Sequence, residues 1–186
     1  AATLHALRLE YAQSAGNAAV HLSWKTATTA LTPVPATSAY PAGVLDAFVE
    51  RARVLHRAAK FIQGFRLTER EIDHFLRFGA DFDNLDFRAL TSAHWRRMLA
   101  YTGLRDAVPQ AQALLVDVFA LANTTNPAPT VAQLRQLLEL ATAWDANDLQ
   151  YLVDTHFSLN VDAFRNEIAL NRLLAVMRIV RKAGIS

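Results

Sequence analysis

Asp81-Phe82-Asp83-Asn84-Leu85-Asp86 places three carboxylates in one short stretch, and clustered carboxylate oxygens are what a hard cation such as Ca²⁺ prefers. A helix–loop–helix calcium loop would also need Gly at its sixth position and Glu at its twelfth. Asp86 and Ser92 stand at those places. Asp83 and Asp86 are better explained as caps of the turn that follows, so no metal residue is expected. The histidines His5, His21, His56, His74, His94 and His156 are scattered, with none of the short spacings that put two imidazoles on one zinc ion. The chain has no cysteine, which removes thiolate chemistry and disulfides. It has no Gly-x-Ser-x-Gly elbow, phosphate-cradling glycine loop or dinucleotide fingerprint. The expectation is a protein that is not an enzyme, with no catalytic, cofactor-binding or metal residues and no cofactor.

Basic residues raise the question of nucleic acid. Trp95-Arg96-Arg97 forms one group, and Arg172, Arg178, Arg181 and Lys182 form another. Segments 130–142 and 146–156 have the outline of a helix-turn-helix. The second of them, however, carries Asp145, Asp148 and Asp154 with no Lys or Arg, the wrong sign for a helix facing phosphates. A net charge of +2 is also too small to imply such a partner. Trp24, Trp95 and Trp144 are read as packing anchors.

What the sequence specifies more firmly is a scaffold. Thr68-Glu69-Arg70-Glu71-Ile72-Asp73-His74-Phe75-Leu76 and Asp145-Ala146-Asn147-Asp148-Leu149-Gln150-Tyr151-Leu152-Val153 follow one pattern. Each opens on a capping residue, carries an acid three positions later and continues with helically spaced apolar side chains. The cap oxygen satisfies free N–H groups, and the acid suits the positive end of the helix dipole. Repeated helix starts indicate stacked helical units.

At 186 residues, with 52% apolar and 19% charged residues, the chain has the length and composition of a globular domain. Helices are predicted over 43–64, 68–78, 92–106, 109–122, 130–142, 146–156 and 163–183. In the first, Leu45, Phe48, Ala52, Leu55, Ala59 and Ile62 form an apolar stripe opposite Asp46, Glu50, Arg53, Arg57 and Lys60, a solvated face. The last helix has apolar residues around most of its circumference, from Ile168 to Val180, and reads as a core helix with a basic end. No run of about 18 apolar residues occurs, so no membrane span is expected.

Residues 3–26 alternate as a strand pair: Leu7, Leu9 and Tyr11, then Val20, Leu22 and Trp24, joined by the turn residues Gln13-Ser14-Ala15-Gly16-Asn17. Residues 27–42, with Pro33, Pro35 and Pro41, read as an extended connector. The expected fold is therefore mainly α: a stacked helical bundle of two related units with a short N-terminal β hairpin and a Pro-rich connector. The expected domains are 1–42 for hairpin and connector and 43–186 for the helices, in repeat-like units of about 43–107 and 108–186. Ala1-Ala2-Thr3-Leu4-His5 does not read as a signal peptide. With no initiating Met, and with Gly184 suited to a left-handed position after the last helix, the chain is expected to be a piece of a longer protein.

Several phrases resemble the A component of bacterial Tc toxin complexes, the large insecticidal pore-forming translocators. They are Leu55-His56-Arg57-Ala58-Ala59, Gly64-Phe65-Arg66-Leu67-Thr68, Trp144-Asp145-Ala146-Asn147-Asp148-Leu149, Phe157-Ser158-Leu159 and Arg181-Lys182-Ala183-Gly184-Ile185-Ser186. Leu9-Glu10-Tyr11 and Leu22-Ser23-Trp24-Lys25, leading to Tyr40-Pro41, are similar to the strand pair entering the helical shell of that family and to the closing hairpin of a PA14-type β domain. The resemblance implies a structural fragment of a secreted, usually pentameric translocator shell, packing within and between subunits. Its partners would be the remainder of its own parent chain and the other subunits of a homo-oligomer. Members of the family are often called neuraminidase-like, but this chain lacks the Ser-x-Asp-x-Gly-x-Thr-Trp box of sialidases. Two alternatives stay open. One is a helical protein-binding module, which an exposed apolar patch around Leu170, Leu174 and Met177 would favour. The other is a carbohydrate-recognition piece acting through the PA14-like hairpin and Trp24.

Overall fold

The computed structural model describes residues 7, 10, 16, 21–25, 27–28, 30–35, 44–110 and 112–184. It divides into two compact units, Ala1–Val49 and Glu50–Ser186. The described residues are mainly helical, with one short antiparallel hairpin.

In the first unit β1 (Ser23–Trp24) pairs with β2 (Thr32–Pro33), Ser23 opposite Pro33 and Trp24 opposite Thr32. The second strand thus comes from the stretch expected to be connector. Leu9 and Tyr11, expected to supply a strand, lie outside the described residues. The β-branched Thr32 and Val34 favour the extended backbone. Val34 N–H donates to Leu22 O at 2.9 Å, and Trp24 Nε1 donates to Thr32 Oγ1 at 3.0 Å across the pair. Pro33 lacks an N–H and is tolerated in an edge strand.

The helices are α1 (Val44–Gly64), α2 (Glu69–Phe78), α3 (Ser92–Arg105), α4 (Leu115–Ala122), α5 (Val131–Thr142), α6 (Ala146–Gln150) and α7 (Glu167–Ala183). Both foreseen caps form. Thr68 and Glu71 make a reciprocal box at α2, and the Asp145 carboxylate accepts from Asn147 N at 2.9 Å and Asp148 N at 3.1 Å. Thr130 and Gln133 cap α5 in the same reciprocal way. The two copies then diverge. The first continues as α-helix, whereas the second widens into a π-helical turn, Tyr151–His156.

The predicted helix at 109 begins only at Leu115. Pro109 is followed by Gln110 in the left-handed region, at φ 49°, and the chain turns there instead. Gln110 N–H donates to Ala141 O at 2.9 Å, while its side-chain oxygen accepts from Leu115 N at 3.0 Å, a remote cap for α4. The last helix is also shorter than predicted: a 3₁₀ turn, Val161–Phe164, precedes it, and Asn166 caps α7. Gly184 ends it at φ 64°, as the C′ reading requires.

In the second unit α2 packs on α4, α3 on α7, and α4 on α5. First-half and second-half helices therefore share one core. Its centre is aromatic: Phe75 meets Phe82 at 4.8 Å and Tyr101 at 5.2 Å, and Tyr101 meets Phe119 at 6.0 Å between ring centroids. Such edge-on and tilted rings gain about 0.5–1.5 kcal/mol per pair beyond burial. Gly79 allows the loop after α2 to fold back, because a Cβ there would meet Leu85 O at 2.4 Å.

Of the two long helices, α7 is the core helix the sequence predicts, whereas α1 buries little of its apolar stripe. On α7, Leu170, Leu173, Leu174 and Met177 are buried, so no apolar patch exists at those residues. On α1 the only fully buried residue is Phe61, with Val54, Ala58 and Ile62 partly covered. The stripe Phe48, Ala52, Leu55 and Ala59 is exposed. At 3.6 residues per turn its centre lies roughly 120° around the helix from the inward line of Val54, Ala58 and Phe61. Among the described residues no helix is long and apolar enough to cross a membrane.

Candidate functional site

The chemistry-bearing residues buried in the second unit gather into two polar ties and one apolar box. The first tie grows from the α2 cap. Glu71 is 3% exposed; its Oε2 accepts from Thr68 N at 2.7 Å and Thr68 Oγ1 at 2.9 Å. Its Oε1 accepts from the Tyr101 hydroxyl and from Arg105 Nη1 at 3.2 Å. Arg105 also donates to Phe65 O at 3.2 Å and to the Asp106 carboxylate at 2.9 Å. One carboxylate thus joins the α1–α2 turn, α2 and α3. Burial, with Glu71 alongside, pushes the Tyr101 hydroxyl far above its ordinary range. Burial works to lower Arg105, but the Asp106 and Glu71 carboxylates outweigh it and hold the guanidinium charged. A tyrosine held this firmly protonated is a poor general base. The group is a strut.

The second tie joins α3 to α7. Arg97 Nε lies 2.9 Å from Oε1 of Glu167, which is only 1% exposed. The N–H is not aimed at that oxygen and Glu167 Oε2 has no partner, so the contact is an ion pair and not an aligned hydrogen bond. Burial raises the Glu167 carboxyl above its ordinary range, against the pull of its own backbone N–H and of Arg97. Its place in the first turn of α7, past the Asn166 cap, favours the charged form. Arg97 Nη2 donates to Asp81 O at 3.0 Å, and the guanidinium lies 5.8 Å from the centre of the Phe82 ring. His94 Nδ1 accepts from Thr91 N at 3.2 Å. Nε2 therefore carries the proton and donates to Asp83 O at 3.1 Å.

His74 is different. It is 4% exposed, neither ring nitrogen has a partner, and Phe75, Phe78, Phe82 and Phe119 surround it at 5.0–6.0 Å. Burial lowers its pKa from the ordinary 6.5 to about 4, although Asp81 and Asp73 pull the other way. Unpartnered burial of this kind costs stability without giving the imidazole anything to act on.

The acidic loop does not form a cation site. Asp81 Oδ2 accepts from Asn123 Nδ2 at 3.0 Å, Asp83 Oδ1 lies 3.8 Å from Arg97 Nη1, and Asp86 Oδ1 accepts from Arg88 N at 2.8 Å. That last bond holds the Asp86 carboxyl below its ordinary range. Among the described residues no three His, Asp or Glu side chains could share a metal ion. His21, His56 and His156 are exposed, and His5 lies outside the described residues. Trp95-Arg96-Arg97 splits three ways: Trp95 packs edge-on to Phe61 at 5.0 Å, Arg96 faces solvent and Arg97 is drawn inside.

Open grooves lie among the described residues. One of about 370 Å³ runs beside the Arg97–Glu167 pair, past Asp83, Arg96 and Asn171. Another, of about 510 Å³, lies between the start of α6 and the end of α7, along Trp144, Asp145, Asp148 and Arg181. In the latter, Asp145 is engaged as a cap and Arg181 Nη2 donates to Ala143 O at 3.1 Å. Neither groove brings a nucleophile to a base. Compared with known proteins, the chain matches no family model, no curated protein and no solved structure.

Proposed function

We propose that this chain is a non-catalytic structural part of a large pore-forming toxin translocator shell, giving rigidity and packing within and between subunits. The observation that carries the scaffold reading is the use of the buried charges. Glu71, Arg105, Arg97 and Glu167 are each engaged in a tie between elements. Buried ionic groups are expensive to keep, and placing them across helix contacts fixes one arrangement of those helices. The phrases resembling the Tc toxin A component support the shell assignment. On that reading the protein is secreted within its parent, packs against the rest of that chain and against other subunits of a pentameric homo-oligomer, and takes no cofactor or nucleic acid.

Electron microscopy of the full gene product containing these residues tests the shell assignment: a closed oligomer around a channel is expected. Turnover in sialidase, nuclease or protease assays would remove the scaffold role itself. A second reading, a helical module that binds a foreign protein, is favoured by the exposed apolar stripe of α1. Capture of that stripe by a foreign chain in preference to its own would select it.

A further inference from the structure

The end of α7 carries a charge pattern that the fold leaves unanswered. Arg181 and Lys182 follow Arg178 by three and four residues, so the three side chains form one ridge along the helix. Arg178 and Lys182 are exposed, and among the described residues neither has a hydrogen-bond or ion-pair partner. Arg181 Nη2 donates to Ala143 O at 3.1 Å, which holds its guanidinium at the groove between α6 and α7. The α6 wall of that groove carries Asp145 and Asp148, three residues apart, and the Asp148 carboxylate has no partner among the described residues. Like charges at these spacings repel along a helix, so each ridge lacks the counter-charge that would settle it. Both belong to the second unit.

The order of the charges identifies the occupant. A chain that covers this face must bring acids to the α7 ridge and cations to the α6 wall, side by side. This chain's own face carries both, each at helical spacing. A head-to-tail step between copies satisfies one ridge per contact, whereas a two-fold axis sets each ridge against its opposite and satisfies both at once. We propose that the α6–α7 groove is a two-fold contact between two copies of this chain, in which Arg178 and Lys182 of each copy enter the groove of the other and pair with Asp145 and Asp148. The groove, of about 510 Å³, has Trp144 and Val180 along it, apolar surface on which the long stems of Arg and Lys can lie. Charges of this kind fix register and partner more than they add affinity, so the pair is weak and sensitive to salt. A two-fold contact closes with two chains and is separate from any ring of five. The proposal rests on the charge layout and not on the toxin reading, so its failure leaves that reading standing.

Sedimentation equilibrium of the purified chain, from about 5 to 500 μM at low salt, is expected to show the mass rising toward twice that of one chain. The rise is expected to vanish at about 0.5 M salt, where exposed charges are screened within a few ångströms. Reversing one ridge at a time supplies the decisive comparison. The double variant Arg178→Glu with Lys182→Glu, and the single variant Asp148→Lys, are each expected to pair at least tenfold more weakly, with helical circular dichroism unchanged. An equimolar mixture of the two is expected to pair again, because one face is then acidic throughout and the other largely basic. Should Asp148→Lys lose helicity, Asp148→Asn is expected to weaken pairing in the same direction without adding charge. Mass constant at one chain at low salt, pairing that persists at high salt, a reversed variant that pairs like the parent, a mixture that fails to pair, or association beyond two chains would each overturn the proposal.

Discussion

Helices α1 and α7 are both long, apolar and edged with arginines, yet the fold treats them in opposite ways. α7 lays Leu170, Leu173, Leu174 and Met177 into the core and is tied to α3 by a buried ion pair. α1 anchors through Phe61 and leaves its more regular stripe in water, with Glu50 and Arg53 paired only along its own surface. Apolar periodicity states that a face is to be covered; it does not state that the same chain covers it. A stripe on a helix with several neighbours becomes core, whereas a stripe on a helix with few stays exposed.

The sharpest way to break this comparison is a pair of truncations. Leu173→Ala on α7 is expected to cost about 3–5 kcal/mol, the toll of a cavity at a closed site. Leu55→Ala on α1 is expected to change the stability of the monomer by less than about 0.5 kcal/mol. Urea unfolding of both variants checks the pair, and equal losses would mean that α1 is buried after all.

Arg97→Met is expected to cost about 3 kcal/mol, since it strands the Glu167 carboxylate inside. Its counterpart Arg53→Ala, which breaks an exposed pair on α1, is expected to cost roughly 0–0.5 kcal/mol. Melting curves at low and high salt separate the two, because only the exposed pair is well screened.

The core can also be probed by pH. The unfolded chain protonates His74 near its ordinary 6.5, while the folded chain resists until about 4. The neutral ring's contribution is therefore complete above pH 6.5 and is lost progressively as pH falls toward 4, by up to about 3 kcal/mol. His74→Leu is expected to remove that slope and to leave the stability near neutral pH unchanged or higher. An identical profile in the variant would mean that the slope belongs to other groups.

A smaller loss than at the second tie is expected at the first. Tyr101→Phe removes one of several donors to Glu71 and is expected to cost about 1–2 kcal/mol, visible as a shifted urea midpoint at constant slope. A loss much larger than that would mean Arg105 and Thr68 cannot hold the carboxylate without the hydroxyl.

Much of the fold was legible because its signals are local. Thr68 with Glu71, Thr130 with Gln133, Asp145 and Gly184 mark helix ends through bonds that span three or four residues, and each does so in the structure. Thr32 and Pro33 read as connector because a two-residue ladder leaves a pattern too short to tell from linker. The polar ties were invisible for a different reason. Glu71 was readable as a cap, but nothing nearby announces Tyr101 and Arg105 as its partners. Arg97 looked like its neighbour Arg96, and only its contacts with Asp81, Phe82 and Glu167 tell them apart.

Side-chain types and spacing by themselves determined a chain of capped helices, since helix starts, stops and faces are set by bonds and contacts within a few residues. Tertiary structure alone decided which apolar face is covered and which carboxylate is buried. Burial depends on the elements that arrive from elsewhere in the chain, and their arrival is a property of packing over the whole molecule.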